Sequence, residues 1–202
     1  MIVKQDEQGT EAWLESRLGK PSASCFSQLI TRTGKPSASA DKYINKLIGE
    51  KLTGKAEQGF KSEAMERGNT LEPEARDEYS FIYEMAVKEV GFILNDDQDY
   101  GCSPDGLIDC SDSAGGLEIK CPLTTNMVRY QRDPQKLVND YFQQIQGCLW
   151  VTGRDWWDAF AWHPELAHVW IRVERDNEFI KKLAVEVDKA VTTIKTEVEK
   201  RK

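Results

Sequence analysis

Ser103-Pro104-Asp105-Gly106-Leu107, followed by Leu117-Glu118-Ile119-Lys120-Cys121-Pro122, carries the strongest chemical signal in the chain. Residues two apart on a strand share a face, so a strand over 116–121 projects Glu118 and Lys120 together and points Leu117 and Ile119 into the core. A turn containing Gly115-Gly116 brings the strand bearing Asp105 alongside, with its carboxylate near Glu118. Two hard oxygen ligands with open water positions are what magnesium prefers. A cation there acidifies a water and offsets charge on a phosphate, while Lys120 positions or deprotonates that water, or neutralises the phosphate. The set provides what phosphodiester hydrolysis needs. Taken alone, however, Glu-x-Lys on a strand is more often a solvated face, so the surrounding sequence has to decide.

Outward from this segment, Ala86 to Leu94 and Gly101 to Asp109 read as further strands, with Asn95-Asp96-Asp97 and Ser111 to Gly115 as turn clusters. Three helical patterns precede them. Thr10 caps one through Arg17; Ser39 or Asp41 caps a second, on which Tyr43, Ile44, Leu47, Ile48 and Leu52 recur; Thr70 opens a third, to about Ile82. Thr31 to Ser39 reads as a mobile loop, and Lys55 to Ser62 as a polar separator. Downstream come a helix over 140–151, strands over 156–162 and 169–173, and a long helix capped by Asp176 with Phe179, Leu183, Val187, Val191 and Ile194 on one face. Helices, then strands, then mixed elements predict a single α/β domain, its helices layered on a mixed sheet.

Composition removes several function classes. No apolar run approaches the roughly 20 residues of a membrane span, and the N-terminus lacks the apolar core of a signal peptide; a cytoplasmic protein without membrane association is expected. Five cysteines without a C-x-x-C pair read as reduced thiols, and two histidines without a cysteine cluster argue against structural zinc. No G-x-S-x-G elbow is present. Gly49 to Ala56 nearly spells a phosphate-binding loop, but Ala56 stands where a magnesium-binding hydroxyl is required and Gly49 lies in a helical pattern. Most of the tryptophans among Trp150, Trp156, Trp157, Trp162 and Trp170 read as core rather than as a base-stacking platform. The net charge of −7 is a weak veto on nucleic-acid binding, because the location of charge matters more than its sum.

The motifs S-P-D-G-L, L-E-I-K-C-P and Y-F-Q-Q-I-Q-G-C-L-W-V-T (141–152) together resemble lambda exonuclease and the YqaJ-like viral recombinases. The resemblance extends to A-W-x-x-x-R-L-G-x-x-x-A-S (12–24) and R-G-N-T-L-E-P-E-A-R (67–76), in the same order over roughly residues 9 to 175. It implies a restriction-endonuclease-like fold, a central mixed sheet flanked by helices. It also implies a Mg²⁺-dependent exonuclease, with Mn²⁺ as a substitute, that degrades the 5′ strand of duplex DNA processively from its ends. A homotrimeric ring and a phage single-strand annealing protein as partner belong to the same picture.

Carried across residue by residue, Asp105, Glu118 and the Ile119 main-chain carbonyl match the family's metal ligands, and Lys120 its catalytic lysine. Glu72, whose plain reading is a first-turn glutamate favoured by the helix dipole, matches an acidic residue supporting a second metal or its water. Arg17, Ser24, Ser103 and Gln146 match a pocket for the 5′-terminal phosphate, a role suited to guanidinium, hydroxyl and amide donors. Met65 falls where the family places an apolar wedge, and Arg32 is a candidate grip on the duplex, although both stretches depart from the family pattern. Arg129, Arg132 and Lys136 form a basic cluster that fits a DNA backbone or, equally plainly, a solvated face. Two other readings stay open: a structure-specific endonuclease or resolvase of the same fold, and a catalytically silent module that binds DNA ends. An iron–sulfur nuclease is disfavoured because no cysteine cluster follows Cys148.

Overall fold

The strand β6, Ala114–Lys120, is buried from Gly115 to Ile119, with both of its faces covered. The computed structural model describes residues 1–57 and 63–201, and their side chains apart from those of 63–65. The main sheet has the order β2 (Val87–Lys88), β5 (Gly106–Asp109), β6, β7 (Trp156–His163), β8 (Leu166–Glu174). Only β6 and β7 pair in parallel, with Glu118 opposite Ala159; the other neighbours are antiparallel. A parallel pair needs a long crossover, here supplied by helices α4 (Thr124–Arg132) and α5 (Gln135–Thr152). A smaller antiparallel sheet joins β1 (Ile2–Val3), β3 (Ile93–Leu94) and β4 (Gly101–Cys102).

The alternation of the strands divides the core in two. Leu117, Ile119, Trp156 and Phe160 meet Ala75 and Tyr79 of α3 (Glu63–Tyr83) on one side of the sheet. On the other side, Trp157, Ala159 and Ala161 join the cluster built by α5, a 3-10 segment at Ala23–Gln28, α2 (Ala40–Thr53) and α6 (Asn177–Glu199). A sheet covered on both faces places every residue of β7 out of solvent, including Asp158. That carboxylate is bound by Tyr79 Oη at 2.5 Å and by Arg172 Nε and Nη2 at 2.8 and 2.9 Å, which satisfies a buried charge.

Local signals account for several elements. Thr10 caps α1 (Glu11–Arg17) by accepting from the Trp13 amide, and Asp176 caps α6 by accepting from that of Phe179. Phe179, Leu183, Val187 and Ile194 are buried, as their helical spacing predicts. Other expectations are corrected. Thr70 does not open a helix; α3 begins at Glu63, and the Thr70 hydroxyl bonds back to the Glu66 carbonyl. The stretch 86–94 is not one strand: Val87-Lys88 pairs in the main sheet and Ile93-Leu94 in the small one. Gly91 makes the transition, lying so close to the 4–6 backbone that a Cβ would stand 2.2 Å from the Asp6 carbonyl. Likewise, Ser103-Pro104-Asp105 separates β4 from β5.

The Thr31–Ser39 loop forms a hydrogen-bonded turn, the Thr31 amide donating to the Lys35 carbonyl at 2.8 Å. Helix α4 was not expected, since it buries only Met127 and Tyr130 in an otherwise polar run. Gly49 lies inside α2, in keeping with the rejection of a phosphate-binding loop. Among the described residues, no helix is long and apolar enough to cross a membrane.

Candidate active site

The break between β4 and β5 sets Asp105 against β6. Its amide donates to the Leu117 carbonyl at 3.2 Å, and its Oδ2 accepts from the Ile119 amide at 2.6 Å. Glu118 is 1% exposed, beneath α5 rather than on a solvated face. Its Oε1 accepts from Gln144 Nε2 at 2.6 Å and from Lys120 Nζ in a short contact. The Lys120 ammonium also lies 4.7 Å from the centre of the Tyr141 ring. Glu118 Oε2 is buried and has no hydrogen-bond partner among the described residues. From α3, Glu72 adds a third carboxylate, held by Arg76 at 2.6 Å.

Electrostatics bind these groups into one unit. Burial, then the charges of Asp105 and Glu72, push Glu118 up to about 8. Burial and Asp105 push Glu72 up to about 7. Burial raises Asp105 as well. Burial alone would lower Lys120, but Glu118 and Asp105 outweigh it and hold the ammonium above its ordinary value. Lys120 therefore stays charged, and the carboxylates carry less than their full negative charge near neutrality. Cys121, near Lys120 and Glu72, is pushed up to about 11 by burial and Glu72, which disfavours a thiolate there.

Among the described residues, no group of three or more His, Cys, Asp or Glu side chains stands ready to hold a metal. Two carboxylates with the neighbouring main chain, completed by water, would suit a hard cation that keeps much of its hydration. The unpartnered Glu118 oxygen and the mutual repulsion of the carboxylates are what such a cation relieves, so the residues fit it. Clefts open on both sides of Glu72. One, of about 370 Å³, is lined by Lys120, Tyr130, Tyr141, Asn126 and Leu123; the other, of about 560 Å³, by Trp13, Arg76, Glu89 and Asp105.

Arg17, Ser24 and Ser103 come into one neighbourhood through intermediaries. Arg17 Nη2 donates to Ser22 Oγ at 3.2 Å, and Ser22 Oγ lies 3.3 Å from Ser24 Oγ. The Arg17 guanidinium stacks 4.2 Å over Trp13, whose indole donates to Ser103 Oγ at 3.1 Å. Gln146 does not join them. It is buried, its amide donating to the Glu174 carbonyl at 2.9 Å and its oxygen accepting from the Asp176 amide at 2.8 Å. Two residues along a helix rotate a side chain by about 200°, so Gln144 and Tyr141 share the face turned to Glu118 and Lys120, and Gln146 points away.

Gln144, Tyr141 and Arg76 are the site residues that the sequence reading missed. The signal for the first two was their spacing of three on a helix. Arg32 bonds Asn139 on α5, and Arg129 is matched by Asp140 at 2.6 and 3.0 Å, leaving Arg132 exposed. Lys136 lies 3.7 Å from Asp133. The Met65 side chain falls outside the described residues.

No curated protein sequence matches the chain. Among solved structures, LHK-Exo in complex with dAMP superposes with a TM-score of 0.83 at 34% identity, over 94% of this chain and 95% of that one. A second structure of LHK-Exo, an alkaline exonuclease from Laribacter hongkongensis, gives 0.80 at 33% identity over the same shares. A phage-related exonuclease from Haemophilus somnus 129PT, at 15% identity, shares the fold with a TM-score of 0.73 over 91% of this chain and 96% of that one. The mixed sheet flanked by helices is thus the restriction-endonuclease-like fold expected from the sequence. The model of the YqaJ-like viral recombinase domain matches residues 12–155, most of the chain, and the chain belongs to that family.

Proposed function

We propose that this chain is a Mg²⁺-dependent exonuclease that digests the 5′-phosphorylated strand of duplex DNA from its ends, releasing 5′-phosphorylated products and leaving 3′ single strands. The observation that carries the reading is the Glu118 carboxylate. It is fixed through one oxygen by Lys120 and Gln144, its other oxygen has no partner among the described residues, and Lys120 beside it lines an open cleft. Asp105, Glu118 and the Ile119 carbonyl are the residues that would hold the cation, with Glu72 supporting a second ion or its water. When bound, that ion supplies positive charge to the phosphate and acidity to a water.

The chain's own groups do the remaining work. The Ile119 amide fixes one oxygen of Asp105 and so orients the other. Lys120, held by Glu118 and the Tyr141 ring, offers N–H donors to a phosphate or to the attacking water. Arg17, braced on Trp13, with Ser22, Ser24 and Ser103, forms the pocket for a terminal 5′-phosphate, a group the guanidinium binds in two-point fashion. The dAMP bound to LHK-Exo is a 5′-mononucleotide, the class of product this reaction releases. A ring of three copies and a single-strand annealing protein complete the same reading, in which a closed ring keeps the enzyme on its DNA.

The test is digestion of a linear duplex carrying a 5′-phosphate on one strand, with Mg²⁺ or with EDTA, beside a closed circle. Loss of the phosphorylated strand alone, only with Mg²⁺ and with the circle intact, is expected. Cleavage of the circle would replace this reading with an endonuclease, and no cleavage at all with a DNA-end-binding module.

A further inference from the structure

Arg76 lies one helical turn beyond Glu72 on α3, with its side chain 11% exposed. Its guanidinium reaches three ways. Nη2 donates to Glu72 Oε1 at 2.6 Å, Nε donates to the main-chain carbonyl of Asp105 at 2.9 Å, and Nη1 lies 2.9 Å from Glu89 Oε2. A Glu–Arg pair four residues apart on a helix is usually a solvated contact of little consequence. Two features separate this pair from that ordinary case: the arginine is largely out of water, and its Nε leaves the helix for the main chain of Asp105.

A guanidinium is planar and rigid, so donors on one group hold their acceptors in fixed relative positions. Asp105 is in turn held to β6 by the Leu117 carbonyl and the Ile119 amide. Arg76 thus closes a mechanical chain from the carboxylate on α3 to the two carboxylates at the sheet. Arg76 pairs with Glu72 as Lys120 pairs with Glu118. We propose that Arg76 is a positioning residue for hydrolysis, setting Glu72 against Asp105 and keeping its carboxylate aimed while the site loads and releases its cation. This rests on the nuclease reading of the same site. A lysine cannot replace it, because a single ammonium does not span the three acceptors.

Full-length wild type, Arg76→Lys, Arg76→Met, Glu72→Gln and the Glu72→Gln/Arg76→Met double variant are compared on 5′-phosphorylated linear duplex, with kcat and KM separated. Mn²⁺ is also titrated calorimetrically into each protein without DNA. Arg76→Lys should lower kcat by about tenfold or more, the usual scale for a partner that orients a ligand, with KM changed less than about twofold. The double variant should be within about twofold of the slower single variant, since both changes remove one device. Mn²⁺ should bind Arg76→Met at least as tightly as wild type, because a positive charge has left the site while the carboxylates remain.

Wild-type kcat in Arg76→Lys, multiplying losses in the double variant, or weakened Mn²⁺ binding alongside lost activity would each overturn the proposal; the last is the mark of a site that has simply collapsed. An inactive wild type would overturn the nuclease reading instead. If Arg76→Met does not fold, Arg76→Lys decides through its kcat and an unchanged Mn²⁺ affinity.

Discussion

The Glu118 carboxylate is buried with one oxygen committed to protein partners and the other, among the described residues, to none. An unmatched buried acceptor costs about 1–3 kcal/mol, which a cation seated against that oxygen would offset. Lys120→Ala or Asp105→Ala should therefore abolish cleavage of linear duplex and leave far-UV circular dichroism unchanged; measurable activity in either would remove these residues from the chemistry. The two glutamines of α5 should separate cleanly. Gln144→Ala removes a donor to Glu118 and should slow cleavage about 10–100-fold with little change in Tm. Gln146→Ala strands the Glu174 carbonyl and the Asp176 amide, and should lower stability by about 1–3 kcal/mol without slowing the folded enzyme. Reversed phenotypes would show that the helix phase has been misread. Asp105, Glu118 and Lys120 were legible because strand alternation and spacing brought their residue types together. The contact of Gln144 with Glu118 was not, because it depends on the rotation of a helix against a strand whose partner the sequence does not name.

At the scale of the element, β6 explains why Gly115 and Gly116 do not form the expected turn. They pair with Trp156 and Trp157 of β7, and a Cβ at Gly116 would stand 2.4 Å from the Trp157 ring. Trp157 is fully buried and has no free direction in which to yield. Gly116→Ala should thus cost about 1–3 kcal/mol by overpacking and displace the strand that carries Glu118 two residues on, lowering Tm and kcat together. Adding Trp157→Phe makes room for the new methyl, and the pair should recover part of both losses relative to Gly116→Ala alone. A double variant worse than the single on both measures would rule out the ring as the cause. Two adjacent glycines ahead of an apolar run look like a turn from one strand alone; only the facing tryptophans identify them as clearance for rings. Helix α4 stayed invisible for the opposite reason: two buried residues in nine give too little periodicity. The Asp176 cap and apolar face of α6, in contrast, could be read directly from a motif and a long repeat.

For the whole molecule, an acidic chain that is to meet a polyanion has to resolve its own charge. Several arginines are already committed: Arg76 to Glu72 and Glu89, Arg129 to Asp140, Arg154 to Asp109, and Arg172 to Asp158. On the proposed reading, what draws a phosphate inward is then a cation held by the carboxylates, together with Lys120 and Arg17. Without a cation, the folded state confines Glu72, Asp105 and Glu118 near one another, and stability should record it. Burial foremost, then neighbouring carboxylates, raise Glu118 from 4.5 to about 8 and Glu72 from 4.5 to about 7. A raised carboxyl pKa means that the folded state keeps protons the unfolded chain has released. The resulting stability is complete below pH 4.5 and lost as pH climbs through 7 and 8. In EDTA, Tm should therefore fall from about pH 5 to pH 9, by about 2–4 °C for each kcal/mol lost in a chain of this size. Mg²⁺, binding only the folded form, should restore most of that loss at pH 9 and little at pH 5. Glu118→Gln isolates the cause, since a neutral amide cannot titrate. In EDTA its Tm should stay near that of wild type at about pH 4, exceed it by a growing margin as pH rises to 9, and respond less to Mg²⁺. Parallel Tm–pH curves for the two proteins would mean that Glu118 is not the group whose charge the cation neutralises.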